Sequence, residues 1–342
     1  MLAYIIRRLL MLPVVVFFAT LLLFAVLQLL PPSVRVAAFV SENLNQIRFM
    51  DELIKAHGLD QPVWEQWYTW MGGLLTGNWG FSKSVSMSVT DALVGFLPAT
   101  LEITAMSILP TVLGGLWLGV LSAKHQNRPV DQATRLTSIV GWSLPNFVLG
   151  LFLLMIFFGY LGWVSDGRLS VQGTLAVRGA GYVSYTGMYT VDSLINGRLD
   201  IFWDAFKHLI LPAFTLAFVQ WAIIVRVMRS SMLNTLREDY VTTARAKGLN
   251  ESVVINKHAK RNAMIPVLTL TGLLIAGLIN GVVVTEIIFN IKGIGYWFVR
   301  AATQLDIPAV LGFTLFNGLV IVVANLVVDV MYSIVDPRIR LD

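Results

Sequence analysis

Long apolar runs alternate with polar segments along this chain, and six of the runs are long enough to cross a membrane. The hydrocarbon core of a bilayer is about 30 Å thick, so a helix of about 20 apolar residues spans it. We therefore predict six transmembrane helices. The predicted spans are Leu9–Leu30, Thr100–Ala123, Leu136–Tyr160, Leu209–Val227, Met264–Thr285 and Ala309–Val330.

Composition supports an integral membrane protein. Of the 342 residues, 56% are hydrophobic and 13% are charged, whereas soluble domains carry about 25% charged residues. The chain contains no cysteine, which excludes disulfides, thiolate catalysis and cysteine-based metal sites.

Positive charge predicts the orientation. Arg7 and Arg8 precede the first span, a short basic loop follows Lys124, and Arg338 and Arg340 lie near the end of the chain. Lys and Arg collect in cytoplasmic loops, so we predict that both termini are cytoplasmic. The same rule accounts for the net charge of +5, so the charge does not indicate binding to nucleic acid. The first run exceeds the apolar core of a signal peptide, which predicts a retained span.

Two spans carry helix-breaking residues. Pro110 and the glycines at 114, 115 and 119 predict a kink or close helix packing in the second span, and Ser143-Leu144-Pro145-Asn146 interrupts the third. In the long polar segment after the first span, Val63, Trp67 and Trp70 recur at helical spacing. They predict an amphipathic helix at a membrane interface or against a partner.

Enzyme signatures that would identify a catalytic site do not occur: there is no P-loop, HExxH or GxSxG, and the four histidines are scattered. Ionisable residues in the predicted spans are few and lie near span ends. We interpret Glu102 and Asp329 as interfacial residues and Glu286 as a residue of the outer mouth. This scarcity argues against proton-coupled secondary transport. Polar residues such as Asn280 either bond between helices or line a path.

The basic segment from Arg237 to Pro266 lies between the fourth and fifth spans. Tyr240, Ala244 and Leu249 predict one helical face, with Thr243 and Ala246 beside it. Gly248 is placed to end this helix, and Asn250 begins a second one. Small residues such as Ala244 would let another protein approach closely. A basic amphipathic loop on anionic lipid is an equally good physical interpretation.

The stretch YVTTARAKGL followed by KHAKRNAMIPVLT resembles the EAA loop of ABC-importer permeases, in the form used by the dipeptide/oligopeptide subfamily. The resemblance covers nearly the whole chain. Its other motifs are YIIRRLL, HGLDQPVWEQWYTW, GNWGFS, LPATLEIT, GWSLPNFVLGLFLL, HLILPAFTLAF, RVMRSSMLNTLREDYV, VVVTEIIFN and NLVVDVMYSIVDPRIR.

The resemblance implies an all-α type I importer fold in the prokaryotic cytoplasmic membrane. Residues 1–98 would hold the first span and an external segment, and residues 99–342 the permease core with a coupling loop at 229–263. The chain would be a non-catalytic permease subunit without a cofactor of its own. Its partners would be a second permease, two ATPases that bind ATP and magnesium, an extracytoplasmic binding protein and membrane lipid, with no nucleic acid.

The resemblance also implies site residues. Those for coupling to the ATPase are Tyr240, Thr243, Ala244, Ala246, Lys247 and Gly248, and those for the outer gate or path are Glu286, Phe289, Gly293, Gly295 and Asn280. Three motifs depart from the family pattern: Thr242-Thr243-Ala244 replaces Glu-Ala-Ala, and the turns after Leu30 and after Asn290 differ from PGDP and PGLG. The last two changes lie on the face that the resemblance assigns to the outer gate.

Other functions stay open at this point. Within the same family, substrates also include nickel chelates, glutathione and oligosaccharides. A proton-driven secondary transporter and a structural or assembly protein that moves nothing are the alternatives from other classes.

Overall fold

The computed structural model describes residues 2–36, 50–56 and 58–335, and these are mostly helical. Six of the described helices have 15 or more residues: α1 (Leu2–Leu27), α5 (Val89–Leu109), α7 (Pro129–Ser143), α11 (Leu199–Thr235), α15 (Ile265–Ile288) and α17 (Ile307–Val335).

 Helix α4 (Val63–Leu75) is slightly shorter, with 13 residues.

The remaining elements are short. They are α2 (Pro32–Val36), α3 (Met50–Ala56), β1 (Phe81–Ser82), β2 (Met87–Ser88), α6 (Gly115–Lys124), α8 (Asn146–Leu154), α9 (Val171–Val177), α10 (Tyr189–Ile195), α12 (Asp239–Ala246), α13 (Glu251–Val253), α14 (Lys260–Ala263) and α16 (Ile294–Thr303). Wider π-helical turns occupy Pro110–Gly114, Met155–Tyr160 and Val254–Ala259. The two strands form an antiparallel hairpin that pairs Phe81 with Ser88.

Three continuous helices among the described residues are long and apolar enough to cross a membrane: Val89–Lys124, Leu199–Thr235 and Ile307–Leu326. A fourth span results if the bent pair Pro129–Ser143 and Asn146–Tyr160 is counted as one, and Pro13–Leu27 is a shorter apolar helix. The helices at the predicted second and fourth spans, Val89–Lys124 and Leu199–Thr235, extend well beyond the predicted bounds, because their ends continue the helix outside the apolar run. The structure thus gives several apolar spans, and the count of six stays a prediction.

The chain divides into two compact units. One unit contains Met1–Pro98 and Gly293–Leu326, and the other contains Ala99–Lys292 and Val327–Asp342.

In the first unit, Trp297 is fully buried and stacks on Phe96 with 6.0 Å between ring centroids. Asp306 is also buried and accepts hydrogen bonds from the Ser82 hydroxyl (2.6 Å) and the Ser84 amide (2.9 Å). It also accepts from the Ala309 amide at 3.3 Å, so Asp306 caps the N-terminus of α17.

The predicted amphipathic helix is confirmed as α4. Trp67 and Trp70 contact Phe17 and Phe24 of α1, with ring centroids 5.4 Å and 5.8 Å apart. The exposed aromatic residues of α4 are Trp64 and Tyr68.

The second unit is built around α11, which packs against α6, α7 and α15. Small residues on the neighbouring helix allow the closest approach. A Cβ added to Gly115 would lie 2.6 Å from Ile224, and one added to Gly119 would lie 2.6 Å from Met228. The close packing predicted from these glycines is confirmed.

Pro110 begins a π-helical turn between α5 and α6. Proline lacks an amide hydrogen, so it removes one helical hydrogen bond. The indole Nε1 of Trp221 on α11 donates to the Pro110 carbonyl at 2.8 Å. A side chain of the neighbouring helix thus forms a hydrogen bond with a backbone carbonyl of the irregular turn, and buried backbone in a membrane requires such partners.

The interruption predicted at Ser143-Leu144-Pro145-Asn146 is confirmed and is sharper than a kink. Helix α7 ends at Ser143, α8 begins at Asn146, and the two helices are bent by 103°. The residue before a proline avoids the helical conformation, and Leu144 is accordingly extended, with ψ of 122°.

Candidate functional site

The segment between α11 and α15 forms the two short helices that the sequence predicts. The first, α12, begins after Glu238 and has Asp239 in its first turn, where a negative charge favours the N-terminal end of the helix dipole. Val241 and Ala244 are buried, and the residues between them are exposed. This spacing puts one apolar face of α12 against the protein.

Gly248 ends this first helix. Its φ of +76° is one that side chains with a Cβ rarely adopt. The Gly248 amide donates to the Arg245 carbonyl at 2.9 Å and the Leu249 amide to the Ala244 carbonyl at 3.4 Å. This pair of bonds is a Schellman motif, so the predicted role of Gly248 as the C-terminal stop is confirmed.

The second helix starts at Asn250, as predicted, because the Asn250 side chain accepts a hydrogen bond from the Ser252 amide at 2.9 Å. It continues through a π-helical turn to Ala263 and leads into α15. Two side-chain contacts tie it to α12. Arg245 donates to both carboxylate oxygens of Glu251, and Asn262 donates to the Tyr240 hydroxyl at 2.8 Å.

The pair of helices is packed on the rest of its unit and does not project freely. Val241, Ala244, Val254 and Ala259 are buried in one apolar cluster with residues of α6 and α11, including Leu116, Ile224, Met228 and Met232. The loop is therefore attached to the ends of helices that belong to candidate membrane spans. Movement of the loop as a unit would move these helix ends with it.

Ala244 lies in a different place from the one expected of it. It is 6% exposed and packs into the protein's own core, so its small size serves internal packing and does not open space for another protein. The other five predicted coupling residues are exposed: Tyr240, Thr243, Ala246, Lys247 and Gly248. The predicted face of Tyr240, Ala244 and Leu249 is only partly right: Tyr240 and Leu249 are each 40% exposed, and Val241 is buried beside Ala244 in their place.

A buried carboxylate holds the helix ends beside this loop. Asp131 of α7 is fully buried and accepts two hydrogen bonds from Arg229 of α11, both at 2.7 Å. It also accepts from the Ser122 hydroxyl at 2.5 Å and the Asn127 amide at 2.9 Å. Asp131 thus joins α6, α7 and α11. Asp131 is not among the site residues predicted from the sequence, although an acid in the first turn of a helix that leads into an apolar run is a usable signal.

The predicted residues of the outer gate are distributed over both units. Glu286 is fully buried and accepts a hydrogen bond from the Thr100 hydroxyl at 2.5 Å. Phe289 is buried beside Gly150, where an added Cβ would lie 3.3 Å from its ring. Gly293 precedes α16 and Gly295 is its second residue; both are buried. The side chains of Asn280 and Asp329 lie outside the described part of the chain.

Glu102, which the sequence predicts to be interfacial, is buried within the protein. It is 4% exposed and forms an ion pair with Arg168. It also accepts from the amide and the hydroxyl of Thr190, at 2.6 Å and 2.7 Å. Helix α5 begins at Val89, eleven residues before the predicted span, and the segment that follows α8 supplies both partners of Glu102.

The segment between α8 and α11 contains another buried carboxylate, that of Asp192, which accepts several hydrogen bonds. Asp192 is buried, which raises its pKa, but hydrogen bonds from Thr186, Ser184 and Gly187 outweigh burial and the pKa is lowered overall. His208 is joined to Ser165, whose hydroxyl lies 2.7 Å from Nε2. These contacts hold the segment together and attach it to α11.

Comparison with known proteins gives the family. Residues 115–341 match the sequence model described as binding-protein-dependent transport system inner membrane component, and residues 1–104 match the model of its N-terminal region. The chain belongs to this family. Together with its apolar helices, this makes it a multi-pass protein of the inner membrane and a permease component of a transport system.

Curated relatives match along the whole chain. A di/tripeptide transport system permease protein of Pseudomonas aeruginosa is 38% identical over 99% of each chain. A dipeptide transport system permease protein of Alkalihalophilus pseudofirmus is 37% identical over 99% of this chain and 100% of its own. An oligopeptide transport system permease protein of Bacillus subtilis is 35% identical with the same coverage. The family resemblance inferred from the motifs is confirmed.

Proposed function

We propose that this permease is one of two membrane subunits of an ATP-driven importer for dipeptides and oligopeptides. The observation that carries the proposal is the full-length similarity to relatives named as permeases for di- and tripeptides, dipeptides and oligopeptides. The family description supports delivery of substrate by a binding protein. A proton-driven carrier and a protein that transports nothing are both disfavoured by this family membership.

The proposed architecture is a type I importer fold with six spans and both termini in the cytoplasm. A second permease would complete the translocation path, and two ATPase subunits would bind ATP and magnesium. The basic character of the segment from Arg237 to Arg261 supports its cytoplasmic location.

The exposed face of α12 is the proposed ATPase contact. Thr243 and Ala246 are exposed there, while Val241 and Ala244 on the opposite face are buried in the apolar cluster. A force applied to the exposed face would therefore reach α6 and α11 through packed side chains. Packed cores switch between discrete arrangements more readily than they deform continuously, so α12 would move as a rigid body.

Replacing Ala246 with tryptophan tests this contact. Ala246 is exposed, so the added ring would obstruct an ATPase without disturbing the permease core, which a bulky residue at Ala244 would disturb. We expect uptake of a labelled dipeptide to fall about tenfold or more, since about 1.4 kcal/mol of lost association free energy is tenfold. Uptake is measured in proteoliposomes that contain the full importer and its binding protein.

Gln126→Trp is the matched control. Gln126 is exposed in the turn between α6 and α7, so the variant adds the same ring to another loop and should keep normal uptake. Full uptake by the Ala246→Trp importer would contradict the coupling role of α12. Uptake of a nickel chelate, glutathione or an oligosaccharide in preference to a dipeptide by the unaltered importer would contradict the proposed substrate class.

A further inference from the structure

A groove of about 530 Å³ lies between α6 and the second helix of the loop, within one compact unit. The wall formed by the first of these helices and the turn before it includes Leu113, Trp117 and Lys124. The opposite wall includes Ile255, Lys260 and Met264. The groove is thus apolar over most of its surface and carries two lysines.

The length of the first wall fits one leaflet of a membrane. Leu113 and Trp117 are 60% and 65% exposed and belong to the candidate span Val89–Lys124, which ends at Lys124. Leu113 precedes Lys124 by eleven residues, which correspond to about 16 Å of helix. Half of the hydrocarbon core is about 15 Å. A groove that starts at the cytoplasmic surface at Lys124 would therefore reach the middle of the bilayer at Leu113.

Glu251, the acid of the loop closest to Lys260 in sequence, forms its ion pair with Arg245 and not with either groove lysine. Glu251 is engaged by Arg245, whose hydrogen bonds lower the Glu251 pKa, with a smaller contribution from the charge of Lys124. Among the residues that the structure describes, neither Lys124 nor Lys260 takes part in an ion pair. The groove therefore presents positive charge beside an apolar surface.

We propose that this groove binds an anionic phospholipid of the cytoplasmic leaflet. The apolar wall from Leu113 to Trp117 holds an acyl chain, and the ammonium groups of Lys124 and Lys260 contact the headgroup phosphate. Basic pockets between membrane helices on the cytoplasmic side suit acidic headgroups. A water-soluble anion would make no use of the apolar wall, and an apolar protein helix would leave two lysine charges without partners.

The proposal gives the two helices of the loop different partners. The first presents its exposed face to the ATPase, as proposed above, and the second holds lipid on the side that faces α6. Anionic lipid would then fix the position of the second helix relative to the membrane surface.

The test compares two double variants of the full importer. Lys124→Gln/Lys260→Gln removes the groove charges, and Lys257→Gln/Arg261→Gln removes the same charge from exposed positions that do not line the groove. Each purified complex is titrated with phosphatidylglycerol or phosphatidylcholine in mixed micelles, and bound lipid is counted by native mass spectrometry. We expect the groove variant to bind phosphatidylglycerol about tenfold more weakly than the control variant does.

Further outcomes decide the matter either way. Phosphatidylcholine binding should be unchanged in both glutamine variants. Lys124→Arg/Lys260→Arg keeps both charges and should retain phosphatidylglycerol binding, so the proposal can still be tested if a glutamine variant does not assemble. Equal losses in the two glutamine variants would reduce the effect to general surface charge and overturn the proposal. Unchanged phosphatidylglycerol binding by the groove variant would also overturn the proposal. If that variant lost the second permease and kept its lipid, the groove would be a subunit interface.

Discussion

Buried carboxylates provide the main polar anchors of this protein at the scale of single residues. Asp131, Glu102, Asp306 and Glu286 are each less than 5% exposed, and each accepts a hydrogen bond from another element of the chain. A buried charge is tolerated when it is paired and hydrogen-bonded. Each of these residues therefore specifies one arrangement of the helices around it.

Asp131→Asn should destabilise the permease strongly. The variant leaves the Arg229 guanidinium, which is 21% exposed, without its partner charge. Removing one member of a buried ion pair typically costs about 3–5 kcal/mol. Thermal unfolding in detergent, followed by tryptophan fluorescence, measures the change.

Asp200→Asn is the control for Asp131→Asn, because Asp200 pairs with Arg198 at the surface and is 62% exposed. Surface ion pairs contribute about 0–1 kcal/mol, so this variant should unfold close to the temperature of the unaltered protein. The double variant Asp131→Asn/Arg229→Gln should recover part of the loss. Equal effects of Asp131→Asn and Asp200→Asn would contradict the structural role of the buried pair.

At the scale of elements, the contact between α6 and α11 depends on glycines, which have no side chain to keep the helices apart. Gly115 and Gly119 are four residues apart, so both lie on the face of α6 that meets Ile224 and Met228. In a membrane, helices associate through close packing more than through the hydrophobic effect. The two glycines therefore determine how closely these helices approach.

Gly115→Ala should weaken this contact, because the new methyl group would lie 2.6 Å from Ile224. Overpacking typically costs about 1–3 kcal/mol. Gly95→Ala is the control within the preceding helix α5, since an atom added there meets nothing within 4 Å. Alanine favours the helix over glycine by up to about 1 kcal/mol, so the control should be neutral or stabilising in the same unfolding assay. A stabilising Gly115→Ala would argue against the close approach.

At the scale of the whole molecule, the central question is which segments face the cytoplasm. The proposed topology puts the loop with α12 and the turn after Lys124 inside, and the segment with α9 and α10 outside. The chain has no cysteine, so single cysteines can report their side of the membrane without background.

Thr243→Cys and Gln126→Cys should react with a membrane-impermeant maleimide only in inside-out vesicles. Tyr185→Cys should react in right-side-out vesicles, because Tyr185 is 61% exposed in the segment proposed to lie outside. The positive-inside rule gives the expected orientation. Labelling of Thr243→Cys and Tyr185→Cys from the same side would rule out the proposed topology.

Features that depend on neighbouring residues could be predicted from the sequence. Gly248 ends a helix, Asn250 begins one, and Pro145 lies in a break between two helices, because each effect acts over a few bonds of the backbone. The apolar runs likewise predicted the membrane class, since the thickness of a bilayer sets a minimum length of apolar helix. The family was predicted from the resemblance of many motifs that occur in the same order along the chain.

Tertiary structure decided which faces are turned inward and which charges are paired. Ala244 is buried because the turn Val254–Ala259 packs on α12 and both join one apolar cluster with residues of α6 and α11. Glu102 is buried because Arg168 and Thr190 come from a distant segment. Periodicity identifies a helical face but does not say what packs on it. The sequence alone determined a membrane permease with a two-helix loop between apolar segments. Only folding decided which residues of that loop are exposed, since burial depends on residues far away in the chain.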